Sequence, residues 1–532
     1  MPDAIIIGAG AAGLTAGLLL ARRGWRVDVL ERDVDDRPGD LAGVDGWRRP
    51  GATQTWHSHA FLARCRSLLA EHAPDVLDAL RAAGALEVRL TEHAPPTLTG
   101  PAPADDELVV LGCRRAVLDW VLREVVAAQP GVTVRSGTRV VGLRTETAPG
   151  GAGGGIGAGA GAGAGGGAAF SRGPVLVRGV RLADGSSRDA DLVVDAAGRL
   201  SPVRRWLVDA GADLPMPAEA DCGIAYYSRF YRRTGPTPDI ALNRGHTTGA
   251  SFDRYSCLMF PADGDSFSLT FGVLPEDADI RVLRHGAAFD AAVRSIELFV
   301  PWLDPADVRP VSPVTAMSHL TNRLRPLVAD GRPGVLGLLA IGDAAVITNP
   351  AHTRGVSLGV LGAVRLAEVA STLRDPAERA LALDESTRAE LAPWFEDSCA
   401  QDAARLLRWR PEQPVVPRAR GAEPAEGAPP TGYTPWPAAP ATGAGAAWPA
   451  GVTNGEAYLA ARRDPGIWHR FTRLQNLLAT PSDVLGEPGF AARVREVLAT
   501  GWRPAGVPGP GHDDLVGLAA DALARVGAPE PR

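Results

Sequence analysis

The sequence predicts an α/β fold in three parts: a Rossmann-like nucleotide-binding domain, a domain built on an antiparallel β-sheet, and a helical C-terminal extension. Three observations support it. The run Ile5-Ile6-Ile7-Gly8-Ala9-Gly10-Ala11-Ala12-Gly13 reads as a strand, a glycine turn and a helix start, the order in which a dinucleotide pyrophosphate is held. Between Cys222 and Leu274 the pattern turns to period two, with Ile224, Tyr226, Ser228 and Phe230 alternating with Ala225, Tyr227, Arg229 and Tyr231. From Gly455 to about Val526 the pattern is helical, and Ile467, Trp468, Phe471, Leu474, Leu477 and Leu478 supply apolar positions that would pack on the main body.

Taken in order, residues 4–30 read as strand, helix, strand, with Val27 to Leu30 as the second strand. Helices are expected at about 59–71 and 74–83, and Arg114 to Ala128 carries Val117, Leu118, Val121, Leu122 and Val125 on one side. Val132 to Leu143 supplies short strands. Residues 149–169 are almost pure glycine and alanine, with too little apolar surface to offset the entropy of ordering, so a flexible insert is expected there. Strand signals resume at Val175 to Leu182 and at Asp191 to Asp195, and a helix is expected at about 286–299. The chain then returns to the nucleotide fold at Gly334. The domains expected are therefore 1–205 with 325–400, the antiparallel domain at 206–324, a Pro/Ala/Gly-rich linker at 411–452 and the extension at 453–532.

Composition narrows the function. Apolar content of 45% and charge of 22% are those of an ordinary globular protein. A net charge of -6 argues against a nucleic-acid binder, which would show a basic excess. No apolar run is expected to span a membrane, and Met1-Pro2-Asp3 lacks the basic segment of a signal peptide, so a cytoplasmic protein is expected. The cysteines (Cys65, Cys113, Cys222, Cys257, Cys399) are scattered without a C-x-x-C pair, which suggests neither a disulfide framework nor a metal site. All 55 basic residues are arginine, so lysine-dependent chemistry is excluded.

The chemistry rests first on the glycines. Gly8, Gly10 and Gly13 give the tight turn, the close backbone approach and the close helix–strand packing, with Ala11 and Ala12 between them. Glu31, at the end of the second strand, is placed to accept from a ribose hydroxyl, with Arg32 beside it. Far along the chain, Leu338-Leu339-Ala340-Ile341-Gly342-Asp343-Ala344-Ala345 is a second apolar strand, ending in Gly-Asp before a small-residue helix. That pairing is the one FAD-binding oxidoreductases use, with the Asp343 carboxylate accepting from hydroxyls of the ribityl or ribose chain. The helix starting near Gly355 and Val356 would direct the positive end of its dipole at the flavin.

The remaining pieces resemble the flavoprotein monooxygenases with the para-hydroxybenzoate hydroxylase fold, whose FAD domain is a Rossmann-like one of the GR2 type. Arg115-Ala116-Val117-Leu118 is similar to that family's RxxL helix start, whose arginine lies near the FAD. Asp191 to Ser201 resembles the stretch carrying its Asp-Gly motif, here with Asp195 and Gly198 as the candidate contacts. Pro350 to Gly355 resembles its Pro-x-x-Gly-x-Gly loop over the flavin, and Pro50 to Leu69 is most similar to bacterial secondary-metabolite oxygenases and epoxidases. The resemblance runs from residue 1 to about 375. It implies an FAD cofactor reduced by NADPH or NADH, O2 as co-substrate and a hydrophobic organic substrate.

Three departures matter. Ala197-Gly198 stands where the family has Asp-Gly, which puts direct reduction by NAD(P)H in doubt and makes a flavin reductase partner plausible. The loop has Thr353 where a glycine is usual, a point of similarity to flavin-dependent halogenases. Those enzymes, however, share a catalytic lysine and a Trp-x-Trp-x-x-Pro stretch that are missing here, where Trp302 stands alone.

Candidate catalytic residues remain open at this stage. His57 and His59 flank Ser58 and suit a proton relay, a substrate contact or FAD positioning. Tyr227, Arg229 and Tyr231 share one sheet face, which lines the pocket or packs under helices. His352, Thr353 and Arg354 border the flavin by analogy. The expected function is FAD-dependent monooxygenation by hydroxylation or epoxidation in secondary metabolism. The alternatives are a flavin reductase or dehydrogenase of the geranylgeranyl-reductase-like type, and a non-catalytic FAD-binding pathway partner.

Overall fold

Ile5, Ile6 and Ile7 are β-branched and buried, and residues buried on both sheet faces favour the centre of a parallel sheet. Asp3–Ile7 takes that place in this computed structural model, which describes residues 1–94, 106–147, 173–238, 248–410, 451–502 and 506–526. The expected insert at 149–169 and nearly all of the expected linker at 411–452 lie outside the described residues. The parallel sheet runs in the order Leu338–Ala340, Leu192–Asp195, Asp3–Ile7, Arg26–Leu30, Val132–Arg135. Register pairs Ile5 with Asp28 on one side and with Val193 on the other.

The helix Ala11–Arg22 follows the glycine turn and crosses the long helix Gly355–Thr372. Small residues allow the close crossing: a Cβ on Gly342 would lie 2.9 Å from the Ala12 Cβ, and one on Gly359 3.2 Å from it. Gly355–Thr372 has the length and hydropathy to cross a membrane, but 72% of it is buried inside the protein. Arg365 and Glu368 interrupt it, pairing with each other at 2.8 Å, with Arg365 also 2.6 Å from Glu390; it is a core helix.

The antiparallel sheet runs Thr248–Ser251, Tyr255–Pro261, Ser266–Val273, Ala225–Arg233, Val308–Pro310, with Thr315–Met317 also on Ala225–Arg233. One face is covered by the helices Gly286–Arg294 and His512–Val526. The other meets the 57–59 segment. Short strands Ala218–Asp221, Thr321–Leu324 and Val346–Ile347 form a ladder of their own.

Two helices differ from expectation. The one placed at 59–71 begins at Ala63, because Phe61 is extended and exchanges both backbone hydrogen bonds with Leu111, at 3.0 and 2.9 Å. The one placed at 286–299 ends at Arg294 and gives way to a 3-10 turn over Glu297–Trp302; Pro301 lacks the N–H that an α-helix there would need.

The extension docks twice. Helices Asn454–Ala461, Pro465–Gln475, Pro481–Leu485 and Pro488–Ala499 bury Ile467, Trp468, Phe471 and Leu474 in the same core as the nucleotide-fold helices. The last helix instead buries Leu515 and Ala519 against the antiparallel domain.

Candidate functional site

The glycine turn divides into packed and open positions. Gly8 has φ +105° and a Cβ there would lie 2.6 Å from the Ala196 carbonyl oxygen, while one on Gly13 would lie 2.1 Å from the Gly8 oxygen. Both are required by packing alone. At Gly10 a Cβ meets nothing within 4 Å: the space is open. No side chain caps the Ala11–Arg22 helix, so its first-turn amides have no intrahelical acceptor and face that space with the dipole's positive end.

Glu31 is buried and holds the turn. Its Oε2 accepts from the Ala9 N–H at 2.9 Å and its Oε1 from the Asp33 N–H at 3.1 Å. From the other side the buried Arg49 donates to the Ala9 carbonyl at 3.2 Å and pairs with Asp119, which also accepts from Arg115 Nε at 2.8 Å. Burial opposes ionisation of Asp119, but Arg115 and Arg49 outweigh it and hold the carboxyl below the usual range. Arg32, by contrast, is exposed beside Asp33.

Asp343 is partly buried, and among the described residues its carboxylate has no hydrogen-bond or ion-pair partner. Burial pushes its pKa up; Arg115, Arg199 and Arg325 pull the other way. It lies beside the start of Gly355–Thr372, where the nearest atom to a Cβ on Gly355 would be Asp343 Oδ1 at 3.9 Å. That helix end is likewise uncapped. Gly198, with φ +77°, also borders open space. An unpartnered carboxylate, two bare helix N-termini and open glycines fit a dinucleotide cofactor whose hydroxyls donate to Asp343 and whose phosphates accept from backbone.

The loop before that helix is anchored by a buried polar hub absent from the sequence reading. Asn349 Oδ1 accepts from Tyr226 Oη at 2.6 Å and from the Ala351 N–H at 3.0 Å, while its Nδ2 donates to Asp402 Oδ1 at 2.5 Å. Asp402 also accepts from Asn322 Nδ2 at 2.8 Å and pairs with Arg405 at 2.6 Å. So held, the loop places Thr353 at φ 54°, in the left-handed region. That conformation favours glycine over a β-branched residue.

His352 and Thr353 face a cavity of about 180 Å³, lined mainly by apolar groups such as Leu62, Leu90, Val110 and Met259, with Thr248, Gln475 and Asn476 also on its wall. Among the described residues the buried His352 Nε2 has no partner, and burial, with Arg354 and Arg405 nearby, keeps the imidazole neutral, well below its ordinary pKa.

The other candidates are placed differently. Tyr227 and Arg229 face away from this loop, a correction to their catalytic assignment. Arg229 pairs with Asp290 of the Gly286–Arg294 helix at 2.8 Å, Tyr231 donates to the same carboxylate at 2.6 Å, and Tyr227 packs in the core under that helix. The opposite face carries the contacts that matter: Tyr226 on the hub, and Ser228, 3.0 Å from His57 Nδ1. Arg354 is also corrected. It is 1% exposed, pairs with Asp397 at 2.6 Å and lies over the Trp394 ring, so it anchors the helix start.

Asp195 is a third correction, since its oxygens accept from the Ala197 N–H at 3.1 Å and Ser201 Oγ at 2.7 Å. Burial raises it to about 6. His57 and His59 are both pulled down to about 4 by burial, for His59 with help from Arg115. His59 Nδ1 donates to the His57 carbonyl at 2.8 Å. His57, with Ser58 bonded to Ser268 and Thr270 at 2.7 and 2.5 Å, locks the 57–59 segment onto the sheet, and neither histidine lines the cavity.

Comparison with known proteins agrees with this architecture. A family profile described as an NAD(P)-binding Rossmann-like domain matches residues 6–68. Protein Rv3254 of Mycobacterium tuberculosis is 29% identical over 292 residues, 51% of this chain; the chain thus spans about half (53%) of that relative's length. Among solved structures, PqsL of Pseudomonas aeruginosa, a probable FAD-dependent monooxygenase, superposes with TM-score 0.54 at 16% identity, over 77% of this chain and 98% of that one. 2-Methyl-3-hydroxypyridine-5-carboxylic acid oxygenase gives 0.53 at 17% identity over 77% and 93%. The flavin-dependent brominase Bmp2 gives 0.51 at 16% over 77% and 89%. The fold of these oxygenases, expected from the sequence, is the fold of this chain.

Proposed function

We propose that the chain is an FAD-dependent monooxygenase that places one oxygen atom of O2 into a hydrophobic organic substrate, by hydroxylation or epoxidation. Asp343 carries the reading: a partnerless carboxylate under three arginines, beside an uncapped helix start. FAD, when bound, supplies the two-electron chemistry with O2. For hydroxylation the balance is RH, O2, NAD(P)H and a proton to ROH, water and NAD(P)⁺.

The chain's own residues bind, orient and exclude water. Glu31 and Arg49 fix the turn that receives the pyrophosphate; Asp343, whose charged form Arg115 favours against the effect of burial, accepts from the cofactor's hydroxyls. The hub at Asn349 and the Arg354–Asp397 pair hold the loop so that neutral His352 and Thr353 offer hydrogen bonds in a mainly apolar cavity. With Asp195 spent on its own loop, nothing replaces the missing motif aspartate, which favours a separate flavin reductase as the NAD(P)H-oxidising partner.

The test is FAD retention and reduction. The purified chain should stay yellow after desalting, and Asp343→Ala should not. Anaerobic NADPH should bleach the flavin band slowly alone and rapidly with a flavin reductase added, and air should then restore it. A protein that never retains FAD overturns the reading.

A further inference from the structure

The cavity beside His352 and Thr353 does not stand alone. A second cavity of about 400 Å³ lies against it, and Leu258, Tyr458, Phe471 and Gln475 line both, so these four residues form the partition. Three of the four belong to the C-terminal extension. The inner cavity, at about 180 Å³, has room for one ring or a short chain: about 150 Å³ of apolar space takes a benzene. Organic ligands usually occupy roughly 300–1,000 Å³, so a larger substrate that reaches the loop must extend past the partition.

The two cavities differ in chemistry. The outer one is lined by Ser251, Ser256, Asp397, Gln401, Asn454 and Arg408 among others. Most of its strong hydrogen-bonding groups are already committed. Asp397 is paired with Arg354 at 2.6 Å and accepts from Gln401 Nε2 and Asn454 Nδ2, each at 2.7 Å. Asn454 Oδ1 in turn accepts from Gln475 Nε2 at 2.8 Å. Arg408 is different. It is exposed at the edge of the cavity it lines, and among the described residues no carboxylate pairs with it. A guanidinium that lines a cavity and has no carboxylate of its own can hold an anion through two parallel hydrogen bonds.

We infer that the substrate spans both cavities, an apolar ring or chain reaching the His352–Thr353 loop and a carboxylate at its far end pairing with Arg408. The inference deepens the proposed reaction and rests on it only in taking the inner end as the end that reacts. It gives the extension a role in specificity, since Tyr458 and Gln475 stand where the two halves of the ligand join.

The test uses the full chain loaded with FAD, and calorimetric titration with decanoate, decan-1-ol and indole near pH 7.5. Decanoate should bind up to about fivefold more tightly than decan-1-ol. Arg408→Gln should remove that preference and Arg408→Lys keep most of it, while indole, which needs only the inner cavity, binds all three proteins equally. Indole should also shift the visible band of the bound flavin. Equal affinity for decanoate and decan-1-ol, no binding of decanoate, or a preference that survives Arg408→Gln overturns the inference. If the preference follows Arg408 but indole leaves the flavin band unmoved, the anion site stands and the monooxygenase reading of the inner cavity fails.

Discussion

Acid should loosen this protein where buried histidines are held neutral, at His352 and at the 57–59 segment. Burial pulls His57 and His59 from 6.5 to about 4. At pH 7.5 both are neutral in the folded and the unfolded chain, and nothing is at stake. As pH falls, the unfolded histidines take protons below about 6.5, whereas the folded ones wait until about 4. The unfolded state therefore binds more protons through that window, and stability is lost as pH falls. At pH 5 the linkage amounts to about 2 kcal/mol per histidine, rising to about 3 kcal/mol by pH 4. His57→Gln keeps an amide that can meet Ser228 but cannot titrate. Urea unfolding followed by tryptophan fluorescence at pH 7.5 and pH 5 should show the variant losing about 2 kcal/mol less than the parent between the two. Asp195, raised from 3.8 to about 6, acts with the opposite sign, but it is present in both proteins and cancels. Equal acid sensitivity in parent and variant would refute the reasoning.

The remaining predictions concern the cradle and the loop. Gly10→Ala should fold with an unchanged melting temperature and lose FAD on desalting, because the added methyl enters open space; Gly13→Ala, 2.1 Å from the Gly8 oxygen, should fail to fold at all. Thr353→Gly should raise the melting temperature by the equivalent of about 1 kcal/mol, because it removes a β-branched residue from the left-handed region. Asn349→Ala strips Asp402, Tyr226 and the Ala351 amide of a shared partner inside the protein. It should cost about 2–4 kcal/mol in unfolding free energy and lower FAD occupancy at a fixed cofactor concentration.

What could be read from the sequence was local. The glycine turn, Glu31 and the Gly342-Asp343 strand end are each specified by a handful of neighbouring residues, and they fall together at one end of the parallel sheet. The period-two pattern in Ala225–Arg233 also identified a strand, but it could not say which face meets the loop. Both faces are buried, so alternation carries no inside and outside, and whether Tyr227 and Arg229 line the pocket or pack under helices is settled only by the Gly286–Arg294 helix above them. Arg49, Asp119, Asn349 and Asp402 left no signal, because their meaning is pairwise: Asn349 is a capping residue in isolation and a hub only when Asp402 arrives on another helix. The start of the Asn454–Ala461 helix was legible in principle, since Thr453 and Glu456 form a capping box.

The order of strands in the parallel sheet has a consequence for synthesis. Asp3–Ile7 lies between Arg26–Leu30, made moments later, and Leu192–Asp195; beyond that comes Leu338–Ala340. At about 5–20 residues per second, the emerging first strand waits on the order of 10–40 s with one edge bare, and its isoleucines uncovered, before its second neighbour leaves the ribosome. The Gly355–Thr372 helix that covers the glycine turn comes later still. The nucleotide fold is thus the first domain begun and among the last closed, and a nascent chain of this protein should be a strong client of ribosome-associated chaperones.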